Sequence, residues 1–275
     1  MPMELKIFKS LWGVPNINEE SFSTYANSGY QGLEFKSLSA VTHKKFGDWL
    51  KKYGLDFIAQ VHTEGTSVAD HLYSFESLIN TALTLHPLLI NSQSGCDYWS
   101  FKDKCRFLGS ALRIEEEYGI QIAHETHRSR ITYNPWDTVS LIKNFPDLQI
   151  GCDFSHWVNV CERLLTTESK QLDIVMQNCL HIHARTGYEQ GPQVPDPRAP
   201  EYKTHLEAHE AWWIQIWHIQ KKHDMQVSTI CPEYGPPLYQ HTAPFSNKPV
   251  ADIQEISDWA MHRLRSLFES IYTVK

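Results

Sequence analysis

The 275 residues contain no apolar run near the roughly 20 residues that cross a bilayer, which sets membrane spanning aside. The opening segment, Met1 to Lys9, lacks the apolar stretch and cleavage site of a secretory signal, so a soluble, cytoplasmic protein is expected. There is no CxxC pair and no dense cysteine framework. Cys96, Cys105, Cys152, Cys161, Cys179 and Cys231 are scattered, which suits a reducing compartment and small core residues. Neither the phosphate-binding loop nor the dinucleotide fingerprint occurs, and no nucleotide cofactor is expected. A basic patch is missing too: 25 Lys+Arg against 32 Asp+Glu give a formal charge of −7, the wrong sign for tracking a phosphate backbone, so no nucleic-acid partner is expected. No linker or low-complexity segment divides the chain, and residues 1–275 read as one domain.

What is present is a recurring phrase, an amphipathic helix, then a glycine, then a short apolar strand. Phe22, Tyr25 and Ala26 at helical spacing precede Gly29 and YQGLEF. Phe46, Trp49, Leu50 and Tyr53 precede Gly54 and LDFIAQVH, and Leu108, Ala111, Leu112 and Tyr118 precede Gly119 and IQIAHE. A glycine just past a helix relieves the left-handed position there, so each copy marks a helix stop and a return into a strand. Strands alternating with helices pair in parallel.

Extended along the chain, the pattern predicts eight strands, near Lys6–Leu11, Gly32–Lys36, Phe57–His62, Leu88–Gln93, Gln121–Glu125, Gln149–Asp153, Leu180–Ala184 and Gln226–Glu233. Helices are predicted between them, including Asp70–Leu85, Phe101–Tyr118, Thr138–Asn144, Leu206–His223 and Ile253–Tyr272. Eight such units make an α/β protein, a (β/α)8 TIM barrel, with an open doubly wound sheet as the rival arrangement. Two long stretches, Ala184–Glu201 and Tyr234–Val250, are rich in Pro, Gly and aromatics and are expected to form ordered walls over a pocket.

Ionisable residues gather where the last four strands run out: Glu125 ends IQIAHE, Asp153 ends LQIGCD, His183 lies in CLHIHAR and Glu233 ends VSTICPE. All C-terminal strand ends of a parallel barrel open on one face, so three carboxylates and an imidazole meet there. Three carboxylates so close repel one another unless a divalent cation neutralises them. Oxygen donors with one nitrogen suit Mn2+ first, with Co2+, Mg2+, Fe2+ or Zn2+ as alternatives. His181, two residues before His183, shares its side of the strand and competes for the same role; His183 is nearer the rim. His62, Gln93 and Glu34 also end strands and are expected to face the pocket. Arg128 and His127 follow Glu125 closely, and Trp12 and Trp157 are candidate apolar walls.

The motifs HETHR (His124–Arg128), DFSHW (Asp153–Trp157), HIHAR (His181–Arg185) and PEYG (Pro232–Gly235), in this order, resemble the xylose-isomerase-like barrel family of sugar phosphate isomerases, ketose 3-epimerases, hydroxypyruvate isomerase and inosose dehydratase. The resemblance spans Leu5 to Tyr272. It implies Glu125, Asp153, His183 and Glu233 as ligands of one divalent metal, His156 as a substrate hydrogen-bonder, and Arg185 as a binder of a hydroxyl or carboxylate. It also implies Glu125 and Glu233 as the acid and base of proton abstraction beside a carbonyl, through an enediolate, on a small carbohydrate. One departure stands out: the epimerase pattern H-x-x-E-x-x-R after the strand-seven histidine is absent, which puts ketose 3-epimerase specificity in doubt and points to a different or larger substrate.

The expected function is therefore a metal-dependent sugar isomerase or epimerase, with a lyase or dehydratase acting on a keto-sugar or keto-glycoside as the variant. A DNA-repair endonuclease and a non-catalytic sugar-binding protein are the rivals from other classes, and a homo-oligomer is left open.

Overall fold

The computed structural model describes residues 2–36 and 40–273. Eight strands form a closed parallel barrel in chain order: β1 Glu4–Ser10, β2 Gly32–Lys36, β3 Asp56–His62, β4 Leu89–Gln93, β5 Ile122–Glu125, β6 Ile150–Cys152, β7 Cys179–His183 and β8 Val227–Cys231. Pairing of Glu4 with Val227 and Lys6 with Thr229 closes the ring between β1 and β8, which excludes the open sheet.

Among the described residues nine helices surround it: α1 Glu19–Ser28, α2 Ala40–Tyr53, α3 Val68–Leu83, α4 Phe101–Tyr118, α5 Pro135–Asn144, α6 Phe154–Cys161, α7 Ser169–Gln177, α8 Lys203–Lys222 and α9 Ile253–Thr273. Local chemistry sets their ends. Asn18 and Ser67 close capping boxes with Ser21 and Asp70 at the starts of α1 and α3, and Asn134 with Pro135 starts α5 three residues before the expected Thr138. Gly29 (φ 98°) and Gly119 (φ 62°) end α1 and α4 in the left-handed conformation, the stop that the repeated phrase implies.

Helices α6 and α7 were not expected. Helix α6 is eight residues long and buries all but Asn159 and Val160, too short a segment for periodicity to reveal. Helix α7 does bury Leu172, Val175 and Met176 at helical spacing, but over only nine residues.

The main core fills the space between barrel and helices. A second, small cluster of Phe8, Ile58, Leu89, Ala123, Leu180 and Cys231 plugs the barrel interior. Because side chains alternate along a strand, the interior residues two positions further on are Ser10, Gln60, Asn91, Glu125 and Glu233. Strand β7 reaches the same phase through a bulge: Ile150 pairs with Cys179 but Gly151 with His181, so Leu180 is the extra residue. An apolar plug topped by a polar layer is what positions the site.

Candidate metal centre

Two of the four expected ligands lie beyond their strands. Strand β6 stops at Cys152, and Asp153 is the N-cap of α6, accepting from the Ser155 amide at 3.1 Å. Strand β8 stops at Cys231, because Pro232 has no amide to continue the ladder, and Glu233 follows it. Glu125 is the last residue of β5 and His183 of β7, as expected.

The structure brings all four together. One donor atom from each of Glu125, Asp153, His183 and Glu233 lies within 4.8 Å of the others, and all four residues are buried. His183 Nδ1 stands 3.3 Å from Glu233 Oε2, 3.8 Å from Glu125 Oε1 and 4.0 Å from Asp153 Oδ2.

The far atom of every one of these side chains is anchored. Asn91 donates to Glu125 Oε2 at 2.8 Å and Gln93 to the same oxygen at 3.4 Å. Ser155 Oγ donates to Asp153 Oδ1, Gln60 donates to Glu233 Oε1 at 2.7 Å, and Glu34 Oε1 holds His183 Nε2 at 2.7 Å. The near atoms Glu125 Oε1 and His183 Nδ1 have no hydrogen-bond partner and meet only each other and the neighbouring carboxylates as ion pairs. Buried polar atoms without partners are costly, and two of them converging on carboxylate oxygens fit the donor set of a divalent cation.

Arg185, fully buried, is the cation the chain itself supplies. It donates to Asp153 Oδ2, to Glu233 Oε2 at 3.1 Å and, through Nε, to Ser155 Oγ at 3.1 Å, and its Nη2 lies 2.8 Å from His156 Nε2.

Electrostatics separate the carboxylates. Burial, reinforced by Glu233 and Asp153 against the pull of His183, raises Glu125 to about 7. Burial would raise Glu233 as well, yet His183 and Arg185 outweigh it and hold Glu233 at about 2. His183 is held well above its ordinary value: burial lowers it, but Glu233, Glu34 and Glu125 prevail. A cation held by these four side chains would displace protons from Glu125 and His183. The expected result near pH 6.5 is release of at least one proton per cation bound, with apparent affinity rising as pH rises and the gain from Glu125 levelling off above about 7. Calorimetry in two buffers of different ionisation enthalpy checks this; proton-neutral binding contradicts it.

The remaining expected residues divide. Trp12, His62, Gln93, His127 and Arg185 line a cavity of about 420 Å3 that also reaches Glu233. His62 Nε2 has no partner, and burial, helped by Lys36 and Arg130, lowers this imidazole to about 3. His156 is buried against Arg185 and does not line the cavity. Glu34 does not line it either: it is buried below, bonded to His181 at 3.1 Å, His183 at 2.7 Å and Gln60 at 3.1 Å. His181 also meets Thr229 Oγ1 at 2.8 Å, so both its nitrogens are engaged, unlike those of His183. Trp157 is packed in the core, donating to the Thr132 carbonyl.

Sequence reasoning missed Gln60, Asn91 and Ser155 as anchors. The first two sit two residues before His62 and Gln93, so strand alternation alone points to them.

If Glu34 orients His183 toward the carboxylates, Glu34→Ala is expected to weaken divalent-cation binding about 10–100-fold. Unchanged affinity by calorimetry contradicts this.

Two further sets of metal-type donors overlap this one. In the Glu34, His181 and His183 set, the glutamate and the imidazoles satisfy each other. In the Glu125, His127 and His156 set, the Arg185 guanidinium lies against His156. A larger groove of about 1000 Å3 between α2 and α3, lined by residues such as Tyr73, Glu76 and Asn80, holds no such cluster among the described residues.

No protein-family model and no curated protein matches the chain. Solved structures do. A 3-keto-D-glucoside 4-epimerase from E. coli, in apo form, is 14% identical at a TM-score of 0.63, covering 96% of this chain and 100% of that one. A probable 3-DHS dehydratase involved in petrobactin synthesis from Bacillus anthracis is 14% identical at 0.59, covering 94% and 98%. A family 2 AP endonuclease from Brucella melitensis is 16% identical at 0.59, covering 86% and 94%. Barrels of such different chemistry show the architecture and leave the reaction to the side chains. The chain has the fold of the xylose-isomerase-like, sugar phosphate isomerase/epimerase type (β/α)8 barrels.

Proposed function

We propose that this chain is a divalent-metal-dependent sugar isomerase or epimerase that removes a proton from the carbon beside a carbonyl. The observation that carries the reading is the convergence of Glu125, Asp153, His183 and Glu233, each anchored from behind, with two near atoms lacking hydrogen-bond partners. Three oxygens and one nitrogen favour Mn2+. When bound, the cation supplies Lewis acidity that makes the neighbouring C–H acidic.

The chain's own residues do the rest. Glu125 and Glu233 have their proton affinities pushed apart, the arrangement expected of an acid and a base. Glu233, kept ionised beside Arg185, takes the proton, and Glu125, reprotonated from solvent after the cation has displaced its first proton, delivers one from the other side; one carboxylate serving both carbons gives isomerisation instead of epimerisation. His62, Gln93 and Arg185 lie where substrate hydroxyls enter. Buried His156, behind Arg185, holds that guanidinium in place.

Loss of a leaving group one carbon further on needs no additional residue, and a dehydratase with this barrel keeps that second reading open. Phosphodiester cleavage fits less well: the formal charge is −7, and Arg185 occupies the space beside His156 where more metal would bind. A small carbohydrate as substrate and the cytoplasm as location belong to the same reading.

The test is a screen of keto-sugars and keto-glycosides with Mn2+ and with chelator, followed by NMR of the product. Epimer or ketose formation that chelator stops supports the reading; an alkene product selects elimination, and turnover indifferent to chelator refutes it.

A further inference from the structure

The barrel's strand order divides the cavity above the candidate metal centre. Most of its polar lining, Gln60, His62, Gln93, His127, Arg185 and Glu233, comes from β3 onward. Its apolar lining, Leu11, Trp12, Ile17, Phe35 and Phe46, comes from the ends of β1 and β2 and from α2. In a closed ring of eight, β1 and β2 stand across from β5 and β6, so this wall faces Glu125 and Asp153 over the mouth.

The wall is preformed. Leu11, Phe35 and Phe46 belong to the core that ties the strands to α1 and α2, and the rings of Phe35 and Phe46 meet at 5.2 Å. Trp12 lies so close over Gly235 that a Cβ there would stand 2.2 Å from the indole, and it meets Tyr239 edge-on at 4.8 Å. The two long loops hold this contact in place, since Gln193 bonds both the amide and the carbonyl of Gly235, at 2.8 and 3.2 Å.

A free sugar fits such a wall poorly. Its hydroxyls would lose water against Trp12 and Ile17, the half-buried members, and the edges of Leu11, Phe35 and Phe46, and among the described side chains on that side only Lys36 could bond them in return. On that side Lys36, exposed at the rim, is the one cation in the described lining, which is little for a phosphate. The volume of about 420 Å3 lies within the roughly 300–1,000 Å3 range of drug-sized ligands.

We propose that the Leu11–Trp12–Ile17–Phe35–Phe46 wall is a subsite for an apolar group joined to the sugar, so that the substrate is a glycoside with a hydrophobic aglycone. The inference rests on the sugar chemistry proposed above and narrows its substrate class.

The probe is a series of n-alkyl β-D-glucosides from methyl to hexyl, with glucose 6-phosphate alongside, titrated by calorimetry with and without Mn2+. Each added methylene is expected to tighten binding by up to about fourfold until the wall is covered. Ile17→Asn, in the half-buried loop after β1, is expected to flatten the series while Mn2+ affinity stays as in the wild type. A flat series in the wild-type protein, or tighter binding of glucose 6-phosphate than of hexyl glucoside, overturns the inference. Failure to bind Mn2+ contradicts the metal-dependent reading alone, because the chain-length dependence is read without the metal as well.

Discussion

Glu233→Gln is expected to fold, to take up the cation and to lose solvent-deuterium exchange at the carbon beside the substrate carbonyl by about 10²–10⁴-fold. The substitution keeps the side chain's shape and leaves an oxygen for the cation, while removing the basicity. Arg185 keeps its bond to Asp153, so no buried charge is stranded. Glu125→Gln is the companion. In a two-base epimerase it stops product formation, yet Glu233 still removes and returns a proton, so deuterium enters unreacted substrate. The pair separates the two carboxylates in a way that turnover alone does not. Undiminished exchange in metal-loaded Glu233→Gln refutes its role as the base.

Arg185→Met is expected to reveal how the protein survives without its cation. The guanidinium is fully buried among Asp153, Glu233, Ser155 and His156 and helps to neutralise three carboxylates. Removing one partner of a buried ion pair costs about 3–5 kcal/mol, which lowers the melting temperature by on the order of 10 °C in a chain of this size. Adding Mn2+ is expected to restore much of that loss, because the cation supplies the missing charge. Its affinity is expected to rise about tenfold or more, since Arg185 competes for the same two oxygens, Asp153 Oδ2 and Glu233 Oε2. Equal melting of variant and wild type without metal, together with equal Mn2+ affinity, contradicts this account of Arg185.

The barrel was legible because its strongest signals are local. Glycine after a helix, an apolar strand and a return to helical spacing are set by neighbours within a few residues. All eight strands fall where that pattern puts them, within a few residues at each end. Helix α6 was not legible, since its eight residues make barely two turns, too few for a helical period to stand out. The convergence of Glu125, Asp153, His183 and Glu233 was legible because a parallel barrel sends every strand's end to one face. What each of them bonds was not: Glu34 under His183, Gln60 under Glu233 and Arg185 across Asp153 are contacts between residues far apart in sequence. Glu34 illustrates the limit, since a strand-end glutamate reads the same whether it faces the pocket or supports a histidine beneath it.

Metal stoichiometry, measured by mass spectrometry on protein loaded with Mn2+ and then desalted, tests the central claim most directly. The account predicts one equivalent per wild-type chain, and a small fraction of that in both Asp153→Ala and His183→Ala with the fold retained. Full retention of Mn2+ in folded Asp153→Ala and His183→Ala, or no retention by the wild type, would contradict it.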